Sequence, residues 1–282
     1  GGTTGNESAT SAWPIGGEVW AVSQLDHIGA RRIDVDFGRT PIAFEGLFDQ
    51  IAQSVREQNR LLTPVGIPIV VGDVVIFRTP IDVSAVALRT GKLLWSSSVT
   101  DATLAWVIRN LPGALPTYLR DKLCHDQLCG NLSSDGTYVF AIEEADARFR
   151  PQRPRPGARG GAEGNMPPAP TNKLVAYDVG TGRMAWEVGG SRGTPPADLS
   201  GAFFLGPPTP YLGKLYCLAE MKDELRLVCL GPDGASVRLE WSQPLVTLNP
   251  FAWARRQSGI IPAIMDGVAI CPTAGGSTVA FD

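Results

Sequence analysis

Cationic excess is missing from this chain of 282 residues: 25 Lys plus Arg stand against 28 Asp plus Glu, a formal net charge of −3. Nucleic-acid binding needs a concentrated positive field to meet the phosphates, so no nucleic-acid partner is expected. Long apolar runs are missing too. No stretch reaches the roughly 18 to 20 consecutive apolar residues that cross a bilayer, so no transmembrane segment is expected. Histidine occurs only as His27 and His125, which would leave acid–base chemistry to carboxylates. No Walker A loop, Gly-x-Ser-x-Gly elbow or His-Glu-x-x-His pair is present.

Cysteine is scarce. The five residues Cys124, Cys129, Cys217, Cys229 and Cys271 are odd in number and too few to staple a chain of this length. Cys217, Cys229 and Cys271 lie in apolar runs and read as small buried hydrophobes. Cys124 and Cys129, in LCHDQLC, could close a loop disulfide or join His125 and Asp126 around a metal. A structural zinc usually takes two ligand pairs, which two histidines hardly supply, so no metal is assigned.

Glycine and proline, by contrast, are plentiful at 32 and 23 residues. Together they approach a fifth of the chain, against the ~12 % of average usage, and they leave few windows for a long helix. The turns they make recur in one pattern. PIVVGDVVIF at 68–77 is followed by VSAVALRTGKLLW, closing on Trp95. LSSDGTYVFAI at 132–142 leads, after an interruption, to NKLVAYDVGTGRMAW, closing on Trp186. PYLGKLYCLA at 210–219 leads to LRLVCLGPDGASVRLEW, closing on Trp241, and PAIMDGVAICP at 262–272 runs on to STVAFD.

Each unit reads as four short strands. Gly72, Gly136, Gly213 and Gly267 mark the first hairpin, and the Asp-Gly and Gly-Asp pairs among them supply positive φ. Alternating apolar residues then turn one face inward. A single sheet of this kind cannot bury both faces, so neighbouring units must stack radially, as propeller blades do. Trp95, Trp186 and Trp241, at the same place in each unit, are expected to fill the space between adjacent sheets rather than bind a cofactor.

AYDVGTGRMAW, with Asp178, Thr181, Gly182 and Trp186, resembles the hallmark Ala-x-Asp-x-x-Thr-Gly-x-x-x-Trp of the PQQ-type, quinoprotein alcohol dehydrogenase-like β-propeller repeat. ALRTGKLLW is a shortened copy without the Asp, LGPDGASVRLEW a degenerate one, and the terminal VAFD the opening of another. The resemblance implies an all-β propeller of four-stranded antiparallel blades, of a bacterial family whose rings usually have seven or eight. This chain covers about four or five, counting EVWAV at 18–22, and is read as a propeller segment over 1–282 that stops within a blade. The quinone enzymes of the family have an adjacent cysteine pair and calcium-binding motifs, neither of which can be matched here. Hence no catalytic, cofactor-binding or metal residue is assigned and no cofactor is expected.

Three insertions interrupt the repeat. Residues 42–62 carry Phe44, Leu47, Phe48, Ile51 and Val55 at helical spacing, and residues 101–123 read as helical with Asp101 as candidate N-cap. Residues 145–171 are rich in Arg, Pro and Gly and read as a flexible excursion. The expected function is a non-catalytic scaffold that binds protein or peptide, in a larger protein whose remaining blades come from the same polypeptide or a second segment. The family setting implies a periplasmic, envelope-associated or secreted location. The alternatives are a quinone-dependent dehydrogenase whose active site lies partly outside this chain, and a sensor domain of a larger protein.

Overall fold

The computed structural model describes residues 20–21, 32–33, 42–43, 51, 53, 65–97, 102–144, 171–190, 197–247, 259–273 and 276–282. Arg32–Ile33 (β1) and Ile42–Ala43 (β2) form a short antiparallel pair. The helix expected over 42–62 therefore does not start at its first residue, because β-branched Ile42 is paired as a strand with Ile33. Ile51 and Gln53 are helical, and the other positions of that expectation lie outside the described residues.

Four antiparallel sheets follow in chain order. The first is a meander of β3 (Ile69–Val71), β4 (Val74–Arg78), β5 (Val83–Ala87) and β6 (Leu93–Ser96). The second is built the same way from β7 (Ser133–Ser134), β8 (Tyr138–Glu144), β9 (Asn172–Asp178) and β10 (Met184–Gly189). In the third the opening strand is split: β11 (Phe203–Phe204) and β12 (Thr209–Tyr211) both pair with β13 (Lys214–Met221). The longer β14 (Glu224–Asp233) and β15 (Ser236–Thr247) complete it. The fourth has β16 (Ala263–Met265), β17 (Val268–Pro272) and β18 (Thr278–Phe281).

Each sheet is a blade. The opening strands lie side by side, β3 against β7, β7 against β12 and β12 against β16, so the blades stack around a common side. Gly72, Gly136, Gly213 and Gly267 sit in the first hairpins with φ of 58°, 93°, 74° and 82°, a region closed to most other residues without strain.

Period-two alternation divides the core. In the second blade Val139, Ala141, Val175 and Tyr177 pack against Ile76, Val83, Ala85 and Trp95 of the first. Their neighbours Phe140, Ile142, Leu174 and Ala176 face the third blade instead, meeting Phe204, Leu218 and Leu230. Both faces of the central strands are thus buried, each buried Val, Ile, Leu or Phe side chain contributing about 1.5 to 3 kcal/mol of transfer free energy.

Helices fill the connection between the first two blades: α1 (Ala102–Asn110), a 3-10 turn at Pro112–Ala114, α2 (Leu115–His125) and α3 (Gln127–Gly130). Leu115, Leu119 and Leu123, four apart, form the buried stripe of α2. Asp101 and residues 145–170 of the Arg-rich segment lie outside the described residues. No described helix is long and apolar enough to cross a membrane.

Candidate functional site: the junctions between blades

The residues of the repeat hallmark build a turn that serves the preceding blade. One carboxylate oxygen of Asp178 accepts from the Thr181 amide at 2.8 Å and from the Thr181 hydroxyl at 2.7 Å, and the Gly182 amide donates to the Asp178 carbonyl at 2.8 Å. Folded back in this way, the turn meets the closing tryptophan of the first blade. Trp95 donates its indole N–H to the Val179 carbonyl at 2.8 Å, and its ring lies flat on Gly182. A Cβ at Gly182 would stand 2.3 Å from the ring, so only glycine admits the indole.

The same clasp occurs one blade earlier. Trp20 donates to the Leu88 carbonyl at 2.7 Å and packs on Gly91, where a Cβ would come within 2.8 Å of the ring. Here Ala87 replaces the aspartate, and the turn is held by backbone bonds from the Thr90 and Gly91 amides to the Ala87 carbonyl, with the Thr90 hydroxyl accepting from the Lys92 amide at 3.3 Å. Trp20, within the EVWAV segment, therefore occupies the position of a closing tryptophan.

The third junction departs from this arrangement. The third blade's turn reads Pro232-Asp233-Gly234, with Leu230 and Asp233 at the places that Asp178 and Thr181 hold before Gly182. Its strands stay paired out to Asp233 and Ser236, and nothing lies within 4 Å of a Cβ built on Gly234. Trp186 is 8 % exposed and packs on Phe140 with ring centroids 5.8 Å apart, yet its indole N–H meets no acceptor among the described residues.

Where the clasp would lie, a cavity of about 570 Å3 opens between the second and third blades. Tyr138, Phe140 and Trp186 line it from one side, and Tyr211, Leu212, Leu215, Leu230 and Val237 from the other. That volume is typical of ligand pockets, about 300 to 1,000 Å3. Leu212 stands at its rim, 83 % exposed, with φ of 48°.

Trp241 differs from its expected role. It is 42 % exposed and rests edge-on against Tyr216, with centroids 6.0 Å apart, rather than between two sheets. No described turn covers it, because the fourth sheet is described only as far as its third strand.

Polar groups bind the other end of the first two blades. Arg78 forms a bidentate, fully buried pair with Glu143, which also accepts from the Tyr177 hydroxyl at 3.0 Å. Burial opposes the guanidinium charge, but the adjoining Glu143 carboxylate outweighs it and holds Arg78 firmly protonated. Asn172 makes the corresponding link to the third blade, donating to the Phe204 carbonyl at 2.8 Å and accepting from its amide at 2.7 Å.

Beneath α2 and α3, Asp126, Cys129 and Glu144 bring buried candidate ligand atoms within 4.8 Å of one another. Burial pushes the Cys129 thiol well up, the Asp126 and Glu144 carboxylates push it further, and the nearby Lys122 ammonium opposes them. With Lys122 supplying positive charge and Asp126 already accepting from the Cys129 amide at 3.1 Å, the group reads as a helix-anchoring polar cluster. Cys124 and Cys129, considered above as a loop disulfide, stand here as free thiols. Cys124 is partly exposed near the end of α2, whereas Cys129 is turned inward to Asp126 and Glu144.

The chain stacks its antiparallel sheets side by side, as the blades of a propeller do. No family model and no curated protein matches it. Among solved structures it is similar to quinohemoprotein alcohol dehydrogenase from Comamonas testosteroni, with a TM-score of 0.37 and 16 % identity over 66 % of this chain. The match spans 22 % of that enzyme. BamB from Moraxella catarrhalis gives a TM-score of 0.30 and 11 % identity over 76 % of this chain and 70 % of its own.

Sequence reasoning passed over Leu212 and the Arg78–Glu143 pair. It had a usable signal for the cavity, since the third unit lacks both polar residues of the hallmark turn.

Proposed function

We propose that this propeller is a non-catalytic scaffold that binds protein or peptide segments in the cavity between its second and third blades, in an extracytoplasmic setting. The observation that carries the reading is the unclasped Trp186. At two junctions the tryptophan is covered by the next blade's turn, and at the third the same space is open and of ligand size. Aromatic and aliphatic side chains share the lining with Ser134, Asp135, Thr137, Lys214 and Ser236, a mixed surface suited to the backbone and side chains of a peptide.

The test is selection of binding peptides from a displayed library against the full chain, with Ala235→Trp as the control. Ala235 is exposed on the hairpin and lines the cavity, so a tryptophan there fills the space without entering the core. Selected peptides should bind the chain and lose at least tenfold in affinity to the filled variant. Peptides that bind both equally would refute the reading.

A further inference from the structure

The three junctions present the same indole to the next blade, and two of them display what fits against it. At both, the occupant is a tight turn whose backbone carbonyl accepts the indole N–H and whose glycine lies flat on the ring. Resting on the reading of the cavity as a binding site, we infer that the third junction takes a glycine-containing β-turn of a protein partner. One carbonyl of that turn accepts the Trp186 N–H, so the complex repeats between molecules the clasp that the chain makes within itself.

Several observations define this occupant. The indole N–H of Trp186 belongs to a residue 8 % exposed, borders the cavity and has no acceptor among the described residues. A partner that lacks an acceptor there leaves the donor unmet, and one that supplies it gains a directed contact. The charged groups at the rim are already engaged. Lys214 pairs with Glu240, and Asp135 accepts from the amides of Thr137 and Tyr138 at 2.8 and 2.7 Å. The cavity therefore suits an uncharged backbone turn better than an acidic or basic side chain.

Leu212 supplies a second contact. It occupies the left-handed region at φ 48°, which for a bulky residue is an outlier, and exposes 83 % of its surface. The matching turn of the fourth blade has Asp266 at φ 51°, a residue that tolerates that conformation, so the turn itself does not call for leucine. A strained apolar side chain held out at the mouth of the cavity that Trp186 and Phe140 line is placed to meet a partner.

The probe is a cyclised hairpin with the chain's own sequence of residues 176–186, AYDVGTGRMAW, titrated into the full chain. Binding should displace the Trp186 indole N–H resonance downfield. The same hairpin with Gly182→Ala should bind at least tenfold more weakly, as should the parent hairpin to chains carrying Trp186→Phe or Leu212→Asn. Should Trp186→Phe fail to fold, the indole resonance of the unaltered chain decides: saturation with no shift overturns the inference. Equal binding to Ala235→Trp places the hairpin elsewhere and also overturns it. If the hairpin does not bind while library peptides bind and are blocked by Ala235→Trp, the cavity is a peptide site of another specificity; the turn inference falls and the proposed function stands.

Discussion

Adding one methyl group at three equivalent turn glycines separates backbone strain from the contact with tryptophan. Gly91, Gly182 and Gly234 have φ of 65°, 68° and 60°, so alanine meets nearly the same left-handed penalty at each, about 1 to 2 kcal/mol. Their surroundings differ. A Cβ would lie 2.3 Å from the ring of Trp95 at Gly182 and 2.8 Å from that of Trp20 at Gly91, and would meet nothing within 4 Å at Gly234. Displacing a packed indole adds an overpacking cost of about 1 to 3 kcal/mol. Gly182→Ala should therefore destabilise by roughly 2 to 5 kcal/mol, Gly91→Ala by somewhat less, and Gly234→Ala by about 1 to 2 kcal/mol.

Urea unfolding followed by far-ultraviolet circular dichroism reads the differences as shifts in midpoint at constant slope. The 2.8 Å bond from Trp95 to Val179 provides a local readout, since its loss should move the indole N–H resonance in Gly182→Ala alone. Equal destabilisation at Gly182 and Gly234 would refute the clasp as an energetic element. It would also remove the basis for treating the third junction as different.

Glu143→Gln should cost about 3 to 5 kcal/mol in the same unfolding assay, because it leaves the buried Arg78 guanidinium without its charge partner; a loss under about 1 kcal/mol would contradict that role. Native thiol titration with a disulfide reagent should count one fast group, Cys124, slowed by the burial that raises its thiol, and five after unfolding; three after unfolding would reinstate the disulfide. The hydrogen bond from Lys214 holds the Glu240 carboxyl below the usual glutamate range, so folding favours its ionised form. Its stabilisation is present above the ordinary glutamate value and is lost as pH falls through the lowered one. Carbon-detected titration should show that low midpoint, and Lys214→Met should raise it; an unchanged midpoint would exclude the pairing.

The blades were legible because their grammar is local. A glycine in each first hairpin, alternating apolar residues and a closing tryptophan are set by nearest neighbours and by which face is buried. The contents of a junction depend on two blades at once. From the sequence Trp95, Trp186 and Trp241 are equivalent, yet one is clasped, one borders a cavity and one is 42 % exposed. For Trp95 and Trp186 the difference lies in the turns of the following blade, at Gly182 and Gly234. Leu212 was illegible for a related reason. Its neighbour Gly213 announces a turn, but nothing local reveals that leucine itself takes the left-handed conformation. Arg78 and Glu143 stand 65 positions apart, and each alone reads as a solvated strand end.

The clasps also have a direction. Trp20 reaches forward to 88–91 and Trp95 forward to 179–182, so each indole belongs to an earlier stretch of chain than the turn that covers it. During synthesis from the N-terminus, Trp20 and Trp95 each precede their covering turn by most of a further blade. Each of these two clasps can close only after the hairpin that carries its carbonyl and glycine has been made.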